Sequence, residues 1–528
     1  MALKGDALEQ VRVAYMLSYA LDRVHEENEQ LRLVQQQKEN QIQALQIENE
    51  RLKEQLRLLQ HRHFGKKSEV GESSLTAETQ PIPVAAHYRK KNKPSAGRLI
   101  DTSQLPRHVI HHDLSQEDRQ CSVCRYALHL IGTDSAEQLE VLPLRLYCVE
   151  HIRYKYGCRH CQTVQMAPKP MAPIPKALAG SSLLAEILTN KYEYHLPLYR
   201  QSKMLASYQA IIPDNTLGNW VSQIGMSLMP LYDALWESIL ASRYLQVDET
   251  TVKVLKPERT GYLWSYFAPH IGQGAVCFEM SLTRSASVAK ERLAQFKGLL
   301  QTDGYSGYQA LRDTENIVGL GCLTHARRKF SDVLKISKNP QGIAAQAIER
   351  LQPLYALESK MREATLCFHT CKRLRQKIAR PILNDFFKWL KQQRSQVPSN
   401  SQLGQAINYS LKQKPYIIKY LRHGIAQIDT NLVENKIRQI ALGRKNFLFI
   451  GHKDSGTIHA LFYSLVLTCI LNNLNPRVYL HYVITKVHDL RKGTVTAMQL
   501  LPHTIDRNEL QLFSNAQVQL AKQILNSN

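Results

Sequence analysis

From Leu17 to Leu59 the chain keeps an unbroken 4-3 spacing through Leu21, Val24, Asn28, Leu31, Gln35, Lys38, Ile42, Leu45, Asn49, Leu52 and Leu56, with no Gly or Pro between. A helix with that seam is apolar along one stripe for its whole length and needs a second helix to cover it. With Leu21 at an a position, Leu31, Leu45, Leu52 and Leu59 fall at d and Asn28 and Asn49 at a. Leu at d with isolated polar a residues favours a parallel two-stranded coil. Residues 1–64 are therefore expected to be a coiled-coil dimerisation helix, the other reading being one long helix packed on its own chain.

The full chain has 528 residues, room for several domains, with 68 Lys+Arg against 45 Asp+Glu, a net of +23. Such a balance points to a polyanionic partner, nucleic acid before an anionic membrane. Residues 65–110 lose periodicity and collect Lys66, Lys67, Arg89, Lys90, Lys91 and Lys93 among Ser, Pro and Gly. They read as a basic flexible linker, either lying along phosphates or serving as a solvated tether. Ten Cys are too few for a disulfide scaffold, but four form two CxxC turns, Cys121–Cys124 and Cys158–Cys161. Four thiolates complete a closed tetrahedral Zn²⁺ shell, structural and without an open catalytic position. The gap of 33 residues between the turns exceeds the usual ~15–20, so a β-hairpin within Glu137–Gly157 is expected to bring them together. Cys148, His151 and His160 are substitute ligands. This zinc-binding module is assigned to residues 111–175.

Residues 176–240 read as helices, with a capped start in Ile212–Trp220 that is either the second half of a helix-turn-helix DNA-binding unit or plain three-helix packing. Strand-like runs follow at Tyr244–Val254, Gly261–Ala268 and Ala275–Ser281, joined by short connections. Ser285–Phe296 is expected helical, Leu299–Asp303 a strand, Ser306–Arg312 helical, Ile317–Thr324 a strand and Ala326–Lys335 helical. The order βββαβαβα is that of ribonuclease H-like nucleases and transposases. Such a catalytic domain would occupy 241–330 and 426–490, interrupted at 331–425 by a helical insertion, with 491–528 as an unassigned tail. The whole is a multidomain α/β chain. Ala460–Leu471, its longest apolar run, is about half the ~20 residues a membrane span needs and reads as a buried helix. No signal peptide is evident at the start, and a cytoplasmic, nucleoid-associated protein with no membrane partner is expected.

In that order Asp248 lies on the first strand and Asp303 closes the fourth, its neighbour in ribonuclease H-like sheets. Two buried carboxylates side by side resist double ionisation unless a divalent cation lies between them, and oxygen-only donors suit Mg²⁺ or Mn²⁺. A third acid, Glu434, begins a helix for which Thr430 or Asn431 is the expected cap. Spacing alone leaves a solvated-surface reading of these acids open, since 45 acids supply many triples.

The segments His63–Glu69, the CxxC pairs, Lys191–Arg200, Val247–Thr250, Thr302–Tyr305, Cys322–Phe330, Asn431–Glu434 and Gly443–Phe449 appear in the order found in the IS66 family of bacterial insertion-sequence transposases, members of the DDE superfamily, which the chain resembles nearly end to end. That resemblance implies that Asp248, Asp303 and Glu434 are the catalytic, metal-binding acids. It also implies double-stranded DNA as substrate (terminal inverted repeats and target) and small accessory proteins from the same element. Two departures stand out: no Trp near Lys414-Pro415, and His452 where a Ser is common after Phe449-Ile-Gly. His325, Arg327, Arg328, Lys329, Arg438, Arg444 and Lys445 are the expected phosphate contacts, with a packed strand-end role as the other reading of His325. Residues 371–396 carry 8 basic residues and 1 acid, and 411–453 carry 9 and 2, so each contributes +7 to the total, while residues 1–65 contribute 9 − 10 = −1. The expected activity is metal-dependent cleavage and strand transfer. The alternative is a catalytically inactive, zinc-containing DNA-binding protein, either a self-repressor or a decayed transposase.

Overall fold

A computed structural model of the chain describes residues 171–526 apart from 313, with 146–152, 155–157, 164–166 and part of 29–41. The four zinc-module cysteines, the 65–110 linker and most of the heptad segment lie outside the described residues. The positions described between 29 and 41 are helical and exposed. Expected to belong to a β-hairpin between the CxxC turns, Leu146–Ile152 instead carries no ladder. The antiparallel pair is β1 (Lys155–Gly157) with β2 (Val164–Met166), which brackets the second CxxC in sequence. Apolar alternation marked an extended run but could not name its partner.

Three helices follow, α1 (Ser181–Tyr192), α2 (Leu198–Ser207) and α3 (Asp214–Leu240). The stripe Leu217, Val221, Ile224, Leu228, Leu231, Leu235 and Ile239 is buried at helical spacing, in the same apolar core as the sheet.

The sheet begins with an antiparallel meander of β3 (Tyr244–Lys256), β4 (Glu258–Ala268) and β5 (Ala275–Ser281). After α4 (Ala286–Arg292), capped by Ser285, comes β6 (Gly298–Gln301), then α5 (Gln309–Arg312) and β7 (Ile317–Leu320). Both β6 and β7 run parallel to β3, giving the order β5-β4-β3-β6-β7. The strand expected to reach Thr324 stops at Leu320, and Thr324 lies in the next helix.

A helical lobe comes next, sharing a second core with Tyr244, Leu299 and Leu320 of the sheet: α6 (Leu323–Ser337), α7 (Ile343–Glu363), α8 (Phe368–Leu374), a π-turn leading into α9 (Arg380–Arg394), and α10 (Gln402–Ile417). Phe330, Leu351, Phe386, Phe387, Leu390 and Tyr420 fill it. Of the basic residues in 371–396, Arg375 is withdrawn from the surface, only 3% exposed and paired with the equally buried Glu358 at 2.7 Å.

The chain returns to the sheet through α11 (Asn431–Phe447) and β8 (Ile450–His452), which pairs in parallel with the far end of β3. Helix α12 (Lys453–Leu471) contains the apolar run and is buried as expected. Its Thr468 and Ser464 hydroxyls accept from Val276 N at 3.2 Å and Phe278 N at 2.9 Å, satisfying the outer edge of β5. The C-terminal α13 (Pro476–Thr485), α14 (Val487–Lys492) and α15 (Arg507–Asn526) complete the described chain. Leu500, Leu501, Ile505 and Leu510 join the main core, so the tail is part of the fold.

Candidate active site

The register of the two parallel strands brings the first two acids together. Gln246 pairs with Gln301 at the end of the β3–β6 ladder, so Asp248 and Asp303 each stand two residues further along. Asp248 Oδ1 accepts from Glu249 N and Asp303 Oδ1 from Tyr305 N, both at 2.9 Å. Glu434 lies in the first turn of α11. Burial first, and then the negative charges of Glu249, Asp303 and Glu434, push the Asp248 carboxyl well above the usual carboxylate range. The three predicted acids therefore share one electrostatic environment.

The expected Thr430 or Asn431 cap is not what holds this helix start. Asp429 does so: its Oδ1 accepts from Asn431 N at 3.1 Å, and its Oδ2 from Thr324 Oγ1 at 2.8 Å and Asn431 Nδ2 at 3.0 Å. An Asp side chain two residues before an amide competes well for it, so a neighbour displaced the predicted cap.

Two glutamines missed in the sequence fix the third acid to the first two. Gln246 Nε2 donates to the Asp429 carbonyl at 2.8 Å, and Gln246 Oε1 accepts from Val433 N at 3.2 Å. Gln301 Nε2 donates to the carbonyls of Gly321 and Gln427, both at 2.9 Å. Both side chains are fully buried, linked to each other at 3.1 Å and to the Tyr244 hydroxyl. A signal was present: Gln-x-Asp occurs in both strands, and residues two apart in a strand face the same side.

Glu249, also missed, is 3% exposed, its Oε1 held at 2.6 Å by Arg284 and its Oε2 by the Tyr308 hydroxyl. Gly304 is pressed against Tyr409 of the helical lobe, where an added Cβ would lie 2.5 Å from the ring.

The expected phosphate contacts divide. Arg328 Nη2 donates to Glu434 Oε2 at 2.7 Å, and His325 Nε2 is 3.7 Å from Oε1. Burial pulls the His325 pKa down, against the upward pull of Glu434 and Asp303. Arg327 lies 5.8 Å from the Tyr355 ring centroid and Lys329 4.7 Å from that of Tyr409. Arg444 donates to Thr251 Oγ1 at 3.0 Å and to the Thr251 carbonyl, while Arg438 and Lys445 are exposed on α11.

In donor chemistry the site suits a hard divalent cation: carboxylates that repel one another, with Glu434 Oε1 buried and without a hydrogen bond. Among the described residues, however, no three His, Cys, Asp or Glu side chains are gathered closely enough to hold an ion as they stand. Arg328 draws Glu434 toward α6, and its guanidinium supplies positive charge beside the acids.

Residues 176–458 match the family model described as "Transposase IS66 family", covering the chain from α1 to the start of α12, with the β3–β8 sheet and the three acids. Residues 118–162 match "zinc-finger binding domain of transposase IS66", which spans all four predicted cysteine ligands, and 51–110 match "Transposase C of IS166 homeodomain". Two relatives come from Sinorhizobium fredii. Uncharacterized protein y4jD is 32% identical over 445 residues, 79% of this chain and 85% of the relative. Uncharacterized protein y4hP is 28% identical over 443 residues, 80% of this chain and 78% of the relative. The chain belongs to the IS66 transposase family.

Proposed function

We propose that this protein is a DNA transposase that cuts at the ends of its element and joins them to target DNA, with Asp248, Asp303 and Glu434 as the catalytic carboxylates. The observation that carries this is the β3–β6 register, which sets Asp248 beside Asp303 while Gln246 ties in the segment leading to Glu434. A three-strand meander extended by two parallel strands supports a ribonuclease H-like reading of the domain. The three acids would hold Mg²⁺ or Mn²⁺, which supplies Lewis-acid activation of the attacking oxygen and stabilises the leaving one.

In the first step water displaces the 3′ oxygen from phosphorus at the element end. That freed 3′ oxygen then displaces another from a target phosphodiester, so no covalent bond to the protein forms. Gln246 and Gln301 hold the acids in register, and Arg328 takes Glu434's charge when the site is at rest. The zinc module at Cys121, Cys124, Cys158 and Cys161 and the helices of 176–240 recognise terminal inverted repeats, and the 1–64 coil pairs two protomers so that both ends are held together.

Purified protein, Mg²⁺ and DNA carrying the element's ends should yield strand-transfer products that vanish with Asp303→Ala. Products surviving in that variant would remove the acids from the chemistry. DNA binding without products in either protein would favour the inactive DNA-binding alternative or a missing accessory protein.

A further inference from the structure

The last β3–β6 pair is Gln246 with Gln301, and the first β3–β8 pair is Val254 with Ile450. Residues 247–253 thus have no strand beside them on that edge, roughly 23 Å at 3.3 Å per residue. Helix α11 runs along the same stretch, and Arg444 near its end donates to Thr250 Oγ1 at 3.3 Å and Thr251 Oγ1 at 3.0 Å. Where the β3–β4 hairpin meets this helix end there is an open cavity of about 480 Å³ lined by Thr251, Lys253, Glu258, Arg259, Thr260 and Arg444 among others.

The lining suits an extended anion. Three cations and one acid line it, Lys253 with Glu258 on one face of the hairpin and Arg259 on the other, and the Lys253–Glu258 pair, at 3.2 Å with both side chains more than half exposed, is too solvated to neutralise the site. Two threonine hydroxyls add donors, and no aromatic ring is present to stack a base or sugar. Two independent rulers fix the distance from the acids. Arg444 follows Glu434 by ten residues on one helix, about 15 Å at 1.5 Å per residue. Lys253 follows Asp248 by five on one strand, about 17 Å between backbone positions, with the two side chains on opposite faces of β3 at its open edge. At 3.4 Å per base pair that span is about four to five base pairs of duplex.

We propose that this cavity is a phosphodiester subsite in which Lys253 and Arg259 of the hairpin grip the DNA backbone some 15 Å from the bond being cut. The subsite rests on the transposase reading above and adds to it a place where the duplex is held outside the acids. The cations position the DNA and read no sequence.

The test is a salt titration of the zinc-loaded full-length protein binding a fluorescein-labelled duplex of mixed sequence, with no Mg²⁺ added and no chelator, followed by anisotropy. Each phosphate contact adds about 0.9 to the slope of log affinity against log salt. Lys253→Ala with Arg259→Ala should lower that slope by about 1.8, and the charge-preserving exchange Lys253→Arg with Arg259→Lys should restore it. Both side chains are exposed, so the melting temperature serves as the control for folding. An unchanged slope in the alanine pair, with wild type binding normally, overturns the subsite and leaves the transposase reading intact. Absence of binding by wild type overturns both.

Discussion

Lys191 sits within the Lys191–Arg200 motif but not at the acids. It is only 8% exposed, its ammonium 4.5 Å from the Phe447 ring centroid, and burial lowers its pKa from 10.5 to about 8. Below pH 8 the amine is charged in both the folded and unfolded chain, and the folded state bears the cost of burying it. Between about 8 and 10.5 the unfolded chain binds more protons, so stability gains with rising pH until that cost is gone. Lys191→Met should therefore stabilise the protein at pH 7 by up to about 3 kcal/mol, 2.5 pKa units' worth, with the advantage fading by pH 10.5. Denaturant unfolding at both pH values measures it, and a constant advantage would mean the ammonium is solvated. At this scale the three candidate acids were picked out by the motifs that flank each of them, and the β3–β6 register stands the first two at neighbouring strand ends. Gln246 and Gln301 were marked only by the repeated Gln-x-Asp, whose role is not visible until the segments they bond, up to 187 residues away, are in place.

Among the elements, the three-strand meander emerged from the sequence because β-branched and aromatic runs between short connections mark it, whereas β8, only three residues long, gave no sign. Helix-to-helix approach was invisible. At Gly225, in the middle of α3, an added Cβ would lie 2.7 Å from Ile458 Cγ2 and 2.9 Å from Cδ1 of α12. Propensity alone makes Ala better than Gly in a helix by about 1 kcal/mol. Overpacking costs about 1–3 kcal/mol, so the sign of Gly225→Ala decides between them. We expect a lower urea midpoint, recovered when Ile458→Ala is added. A stabilised single variant would mean the two helices have room to separate.

For the whole molecule, the 130 positions between Asp303 and Glu434 announced an insertion, and the fold uses most of them for a helical lobe packed with Tyr244, Leu299 and Leu320 of the sheet. The +7 summed over 371–396 overstates what its surface presents, since Arg375 is folded inward onto Glu358. The tail gave no sign that it would pack, because four scattered apolar residues make no period. Pairing of protomers belongs to this scale too. A fragment of residues 1–64 should sediment at twice its monomer mass, and deleting those residues from the full chain should halve the mass of the assembly. A fragment that remains monomeric would assign the heptad seam to an internal packing role.

The amides of Gln246 and Gln301 grip a segment that the ribosome makes late. Asp248 and Asp303 are both in hand two residues past β6, but Glu434 and the Gln427, Asp429 and Val433 backbone that the glutamines recognise arrive only after the entire lobe. A nascent or truncated copy that stops short of residue 434 thus carries an unfinished blade. On the transposase reading proposed above, chemistry at these acids waits until about four-fifths of the chain exists.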